Sequence, residues 1–340
     1  MTDMLTEPYR GPSAWRRADM QADPQWIRSL DAHAVAELRD AVAAVYRQGA
    51  DLSGLTRDDF ALPRLGPRIV QLRDTLETGR GFELWRGLPV NEWNDDERRI
   101  AFWGLGLHLG APVVQNARGE LLGSVINTSS TDPQTNANSR FYHTNRAAPF
   151  HVDGADTVGL LCVRTAMSGG ASLIVSSTSI YNAVLREAPD LLELLYQPLW
   201  FDHRGERNAV TGEPYWVTSI CGWANGKLSM MYLRAFLESA QRYENAPPLT
   251  DRHYRLFDLV DRLAASDELC LSMDFRPGDI QWLNNHVILH SRTRFDDYTR
   301  TRSGGAQLLR LWLSFDQRDR FSSTYGFYGI ARDDQQAAHG

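Results

Sequence analysis

The stretch FHVDGADTVGLLCVR, residues 150–164, decides how the rest of the chain is read. Its second half, TVGLLCVR, is a short apolar run rich in β-formers, the pattern of a buried strand. Its first half sets His151 and Asp153 two residues apart on an extended segment. Side chains on such a segment alternate, so imidazole and carboxylate point to the same side.

Outward from that strand, short apolar or alternating runs recur from about Leu121: LLGSVIN, ASLIVSS, YWVTSICGW, KLSMMYL, ELCLSMDF, DIQWLNN and LLRLWLSF. Turn signals separate them at Ser168-Gly169-Gly170, Ala224-Asn225-Gly226 and Arg276-Pro277-Gly278-Asp279. Many short strands with Gly and Pro turns predict an antiparallel barrel or jelly roll. Helices are expected to interrupt it at 180–187 and 251–265. The first 110 residues read as mostly helical. Asp31 caps AVAELRDAVAAVYRQ, which stops at Gly49, and a second amphipathic stretch covers 67–78. GFELWRGLPV reads as a strand, and Asn94-Asp95-Asp96-Glu97 as an acidic helix start. The expected fold class is α+β with a mainly β core. One catalytic domain spans 1–340: helical support over 1–110, a jelly-roll core over 111–320 and a tail over 321–340.

Composition narrows the function. Hydrophobic content is 43%, charged content 23% and net charge −6, with no basic run for a nucleic-acid backbone. No segment approaches the roughly 20 apolar residues of a membrane span, and the N-terminus lacks an apolar secretory core. Cys162, Cys221 and Cys270 lie far apart and outside any CxxC pair, which suits core packing in a reducing compartment, by default the cytoplasm. The expected partner is a small-molecule substrate, with no nucleic acid or membrane, and a homo-oligomer is compatible with these numbers. His151 and Asp153, joined by a distant histidine, would give a 2-His-1-carboxylate face with open positions, typical of non-haem Fe(II) oxygenases.

The segments GRGFELWRGLPV, GLGLHLGAPVVQ, FHVDGADTVGLLCVR, SGGASLIVSS, LNNHVILHSRTRF and LLRLWLSF follow one another in order. Together they resemble the taurine dioxygenase and TfdA-like (clavaminate synthase-like) family of Fe(II)/2-oxoglutarate oxygenases, from about Gly79 to Phe315. The resemblance implies a double-stranded β-helix, with Fe(II) as cofactor and 2-oxoglutarate and O2 as co-substrates. It implies oxidative decarboxylation to succinate and CO2 coupled to hydroxylation of a small polar molecule, such as an amino acid or a secondary-metabolite intermediate. His151 and Asp153 match the first two metal ligands, and His290, expected at the end of the strand after Pro277-Gly278-Asp279, matches the third. His286, four residues earlier, competes by periodicity; the family pattern, with the ligand directly before a Ser-Arg or Gly-Arg step, selects His290. His143 and His203 read as loop histidines. Arg310, alone in LLRLWLSF, matches the family's arginine and would pair with the far carboxylate of 2-oxoglutarate; an exposed strand face is the competing reading. Ser172 matches a hydroxyl on the same carboxylate. Ala306 stands where related proteins carry a second basic residue, and Arg300 or Arg302 could supply that charge. Asp153 itself argues against halogenation, which in related proteins uses a small residue there.

The polar segment 127–150 reads as a lid, with Tyr142, Asn145 and Arg146 as candidate substrate contacts. Arg292 and Arg294 could meet an anion, although solvated charges are the simpler account. Desaturation, cyclisation or epimerisation would use the same metal face. A zinc-type hydrolase or a non-catalytic barrel are the alternatives of another class, and neither needs a buried arginine beside the metal.

Overall fold

Two sheets face one another in the computed structural model, which describes residues 4–49, 51–129, 131, 133, 136, 140–298, 305–315 and 330. The larger runs β1 (Ile27–Ser29), β2 (Phe82–Arg86), β14 (Ile280–Asn284), β6 (Thr157–Arg164), β17 (Gln307–Ser314), β3 (Ala111–Pro112), with β4 (Leu122–Ile126) also on β17. The smaller runs β13 (Leu271–Met273), β8 (Ser172–Ser176), β15 (Ile288–Arg292), β5 (Ala148–His151). β1 and β2 pair in parallel, whereas the pairs that frame the sandwich interior are antiparallel. A ribbon of β7 (Ser168–Gly169) with β16 (Phe295–Asp296), and the hairpins β9 (Leu199–Asp202) with β10 (Tyr215–Thr218) and β11 (Cys221–Ala224) with β12 (Lys227–Met230), complete the strands.

Alternation along β17 explains the layers. Leu309, Leu311 and Leu313 join a cluster with Leu38, Val42 and Val45 of α2 (Ala32–Gln48), Ile69 and Leu72 of α3 (Gly66–Glu77), and Phe102 and Leu105 of α4 (Asp95–Leu109). Burying each of those strand leucines is worth roughly 1.5–3 kcal/mol. Leu308, Arg310 and Trp312, on the other face, turn into the space between the sheets. The helical front therefore packs on the outside of the larger sheet, as expected. A second cluster unites Val175 and Leu289 of the smaller sheet with α5 (Ser177–Glu187) and α7 (Asp251–Ala264). A third, with Phe82, Val158, Ile174, Leu283 and Trp312, fills the interior between the sheets.

The helix signals operate as read. The Asp31 side chain accepts the Ala34 N–H, and Gly49 ends α2 at φ 61°. Asn94 and Glu97 form a reciprocal capping box on α4, with acidic residues through the first turn. Gly169 and Gly170 adopt φ of 72° and 75°, and a Cβ on Gly169 would lie 2.2 Å from the Arg294 carbonyl oxygen. That turn delivers the chain to β8 and to Ser172.

Some boundaries differ from expectation. YWVTSICGW is two strands, β10 and β11, because it breaks at Ser219. His290 does not end the strand after Pro277-Gly278-Asp279: that strand, β14, stops at Asn284, and His290 sits mid-strand in β15. His286 falls in the intervening turn, so its four-residue spacing from His290 carries no facial meaning. Residues 148–150, read as part of the lid, belong to β5. Helices α1 (Arg17–Ala22) and α6 (Arg234–Ser239) were too short to show a period. Arg300, Arg302 and all of the 321–340 tail except Ile330 lie outside the described residues.

Candidate metal and co-substrate site

His151 ends β5 and His290 stands directly opposite it on β15, their ring centroids 4.3 Å apart. Asp153 follows β5 at the turn, where its backbone N–H donates to Asn285 Oδ1 at 3.1 Å while Asn285 Nδ2 donates to the Ala155 carbonyl at 2.9 Å. Among the described residues these three offer ligand atoms all within 4.8 Å of one another. His286 turns elsewhere: its Nε2 lies 2.8 Å from Asp156 Oδ1, and Asp156 also accepts the Phe315 N–H at 2.7 Å. It braces the turn after Asp153.

The donor set has the chemistry of a cation site. Asp153 and His290 are only 8% and 7% exposed, yet Asp153 Oδ2 and His290 Nδ1 have no hydrogen-bond partner. Leaving such a buried group unmatched costs about 1–3 kcal/mol. Burial and the neighbouring His151 push His290 down to about 3, so its ring is neutral and keeps a lone pair at physiological pH. Burial alone would raise the Asp153 carboxyl, but Arg310, His290 and His151 outweigh it and hold it below the ordinary range. His151 Nδ1 donates to the Pro149 carbonyl at 2.8 Å, which fixes the ring and leaves Nε2 as its acceptor. These residues fit a divalent transition metal.

Beside the triad a cavity of about 180 Å³ opens between the sheets. Arg310 lies in its wall, 8% exposed, rather than on a solvent face. Its Nε donates to Gln115 Oε1 at 2.8 Å, its Nη1 lies 3.4 Å from Asp153 Oδ1, and the rings of Tyr142 and Trp312 flank it at 4.6 and 4.8 Å. The guanidinium therefore lies beside the carboxylate of the His-Asp-His group. Ser172 also lines the cavity, its hydroxyl donating 3.0 Å to Gln281 Oε1.

Of the lid candidates, Tyr142 reaches the cavity wall, while Asn145 and Arg146 are not among its lining residues. Asn145 instead exchanges bonds with Phe295, through Nδ2 to the Phe295 carbonyl and the Phe295 N–H to its own. His143 sits half-buried with Nδ1 3.2 Å from Thr128 Oγ1. His203, read as a loop histidine, is a buried wall residue of the cavity, and burial pushes it down to about 4. Arg140, Arg204, Glu206 and Phe236 also line the mouth and were not singled out from sequence. They come from segments whose order depends on tertiary contacts, such as the 2.6 Å Arg140–Glu206 pair, and no local pattern announces them. Arg294 is solvated, pairing with Asp296, but Arg292 is not: it lines the cavity.

A three-donor face beside a cavity between the sheets, with a buried guanidinium next to it, fits an oxygenase of the facial-triad type. Comparison with known families agrees: residues 47–312 match the taurine catabolism dioxygenase TauD, TfdA family, and the chain belongs to it. It is an Fe(II)/2-oxoglutarate-dependent oxygenase. Among similar proteins, the FR-33289 synthase of Streptomyces rubellomurinus is 33% identical over 328 residues, covering 95% of each chain. The taurine hydroxylase-like protein SAT17 of Stachybotrys chartarum is 30% identical, covering 83% of this chain and 74% of its own. Solved structures share the fold. An asparagine oxygenase superposes with TM-score 0.64 at 16% identity, covering 85% of this chain and 94% of its own. The non-haem iron oxygenase OrfP, bound to Fe and α-ketoglutaric acid, gives 0.63 at 15%, covering 86% and 95%. Among the described residues no helix is long and apolar enough to cross a membrane.

Proposed function

We propose that His151, Asp153 and His290 hold the iron, that Arg310 and Ser172 bind 2-oxoglutarate, and that the enzyme hydroxylates a small polar molecule. The observation that carries this reading is the unmatched buried carboxylate oxygen Asp153 Oδ2, 3.8 Å from His290 Nε2, beside a cavity whose wall also holds the buried Arg310. When bound, Fe(II) supplies the oxygen activation that no side chain here provides. The chain supplies the surroundings. Pro149 and Asn285 fix the ligand-bearing turn, Arg310 answers carboxylate charge beside it, and Leu160, Phe275 and Trp312 keep the wall apolar.

The substrate would enter past Tyr142, Arg140, His203 and Phe236, which line the outer part of the cavity. An amino acid, another carboxylate or a secondary-metabolite intermediate suits that mixed polar and aromatic mouth. The Streptomyces relative, FR-33289 synthase, is named for one compound, which also favours a small molecule. The three free cysteines fit a reducing compartment such as the cytoplasm. The test is a screen of succinate release with Fe(II) and ascorbate across amino acids, sulfonates, aryloxy acids and small peptides. Substrate-dependent succinate with an oxygenated product supports the reading. Oxygen-independent hydrolysis by a zinc-loaded protein would overturn it.

A further inference from the structure

Arg310 leaves a dicarboxylate half answered. It is flanked by the triad residue Asp153, so it serves the metal end of the cavity. Along the inward face of β17 the next position is Leu308, and Ala306, just before the strand, borders the adjoining cavity; neither carries charge. A five-carbon diacid running from the metal down the cavity meets its second carboxylate with no cation from this strand.

Arg292 answers from the opposite sheet. It is two residues beyond His290 on β15, roughly 7 Å along the strand, and its ladder partner on β8 is Ser172. It lines the main cavity, and also an adjoining one of about 150 Å³ that Ala306 borders. Its partners are neutral: Nη2 donates to the carbonyls of Thr144 and Arg146, both at 2.7 Å, and the Phe295 ring lies 4.7 Å from Cζ. Its Nε is buried without a hydrogen bond, and no carboxylate among the described residues pairs with it. A guanidinium so enclosed is costly unless an anion completes it.

We infer that Arg292, with Ser172 across the ladder, receives the distal carboxylate of 2-oxoglutarate, and that Arg310 works at the metal end. This rests on the assignment of 2-oxoglutarate to the cavity. It accounts for a cavity wall that has alanine at position 306, because the charge arrives from β15 instead of β17.

The test compares two 2-oxo acids of equal length, 2-oxoglutarate and 2-oxopentanoate, which lacks the distal carboxylate. Each is titrated anaerobically into the Fe(II) protein, reading the charge-transfer absorption of the metal chelate. The wild type should prefer 2-oxoglutarate by roughly 30-fold or more, the scale of a buried charged hydrogen bond. Arg292→Met should collapse that preference, leaving 2-oxopentanoate binding unchanged, whereas Arg310→Met should weaken both acids. Arg292→Met with the wild-type preference intact overturns the inference. So does equal weakening of both acids, which would assign Arg292 only to tethering the Thr144–Arg146 backbone. If the methionine variant also loses iron, Arg292→Lys decides: a reduced preference supports the role and an unchanged one refutes it. Failure of the wild-type Fe(II) protein to bind either acid would instead strike the cavity assignment itself.

Discussion

At the inner end of the cavity every side chain proposed to act is borne by a strand or by the turn it enters: His151 on β5, His290 and Arg292 on β15, Arg310 on β17, Ser172 on β8. At the mouth, Tyr142 lies in a short helical turn, Arg140 precedes it, and His203, Arg204 and Glu206 follow β9. The inner groups inherit their spacing from backbone ladders, as in the His151–His290 rung. The outer groups are placed by side-chain contacts: Arg140 on Glu206, Tyr142 against Arg310, and Phe236 beneath both Arg140 and Arg204. On the proposed reading, chemistry is tied to the sheet, and selectivity to loops that can change without disturbing it.

The sharpest way to break that contrast is at the rung. His290→Ala should abolish Fe(II) binding and reduce turnover to background, measured by metal content and succinate release. His286→Ala should retain iron, since its ring pairs with Asp156, and show its effect as lowered thermal stability. Full activity in the first with loss in the second would reverse the assignment.

Next in size is Arg310→Met, expected to raise the apparent 2-oxoglutarate requirement roughly 30-fold or more. A steady-state titration that gives the wild-type value would remove Arg310 from co-substrate binding. Tyr142→Ala tests the mouth against the interior. A buried cation–π contact is worth about 0.5–2 kcal/mol, so co-substrate affinity should fall between a few-fold and about 30-fold, with iron content unchanged. Loss of iron in that variant would show that the mouth and the metal end are not separable.

The smallest expected effect is on acid stability. His203 is pushed down to about 4 by burial from an ordinary 6.5, so the folded state favours the neutral ring. Its contribution is complete above pH 6.5 and is lost as pH falls from there towards 4. Denaturant midpoints at pH 7.5 and 5 should show His203→Gln losing up to about 2 kcal/mol less than wild type. An identical acid loss in both proteins would mean that His203 titrates freely at the mouth.

The same contrast governs what the sequence could disclose. The His-x-Asp spacing pointed to His151 and Asp153, although Asp153 lies in the turn after β5 and not on the strand, and the lone charge in LLRLWLSF pointed to Arg310, whose direction alternation along β17 does give. Alternation could not tell which neutral surface lay on β17's other side; helices cover it, so the exposed-face alternative for Arg310 has no face to occupy. Long strands such as β6, β8 and β17 were legible, yet the turn at Asn285–Val287 was not, since LNNHVILH reads as one run until Asn284 is seen donating to the Leu76 carbonyl. Arg292 was legible as a charge but not as a half-buried one lining the cavity. Its enclosure depends on Thr144, Arg146 and Phe295, and only the folded chain brings all of them together around it.

The rung between β5 and β15 has a bearing on how the protein comes to be folded at all. It joins segments far apart in sequence, and such distant pairings close late because their loop entropy is spent before any contact repays it. An ion held by His151 and His290 would find both ligands only once that closure is complete, so its binding would draw the chain towards the finished sandwich. At a free metal concentration 100-fold above its dissociation constant, the gain is about 2.7 kcal/mol. Scarcity of iron would then reach this protein twice, first as idle catalyst and then as a chain that opens, and is degraded, more often.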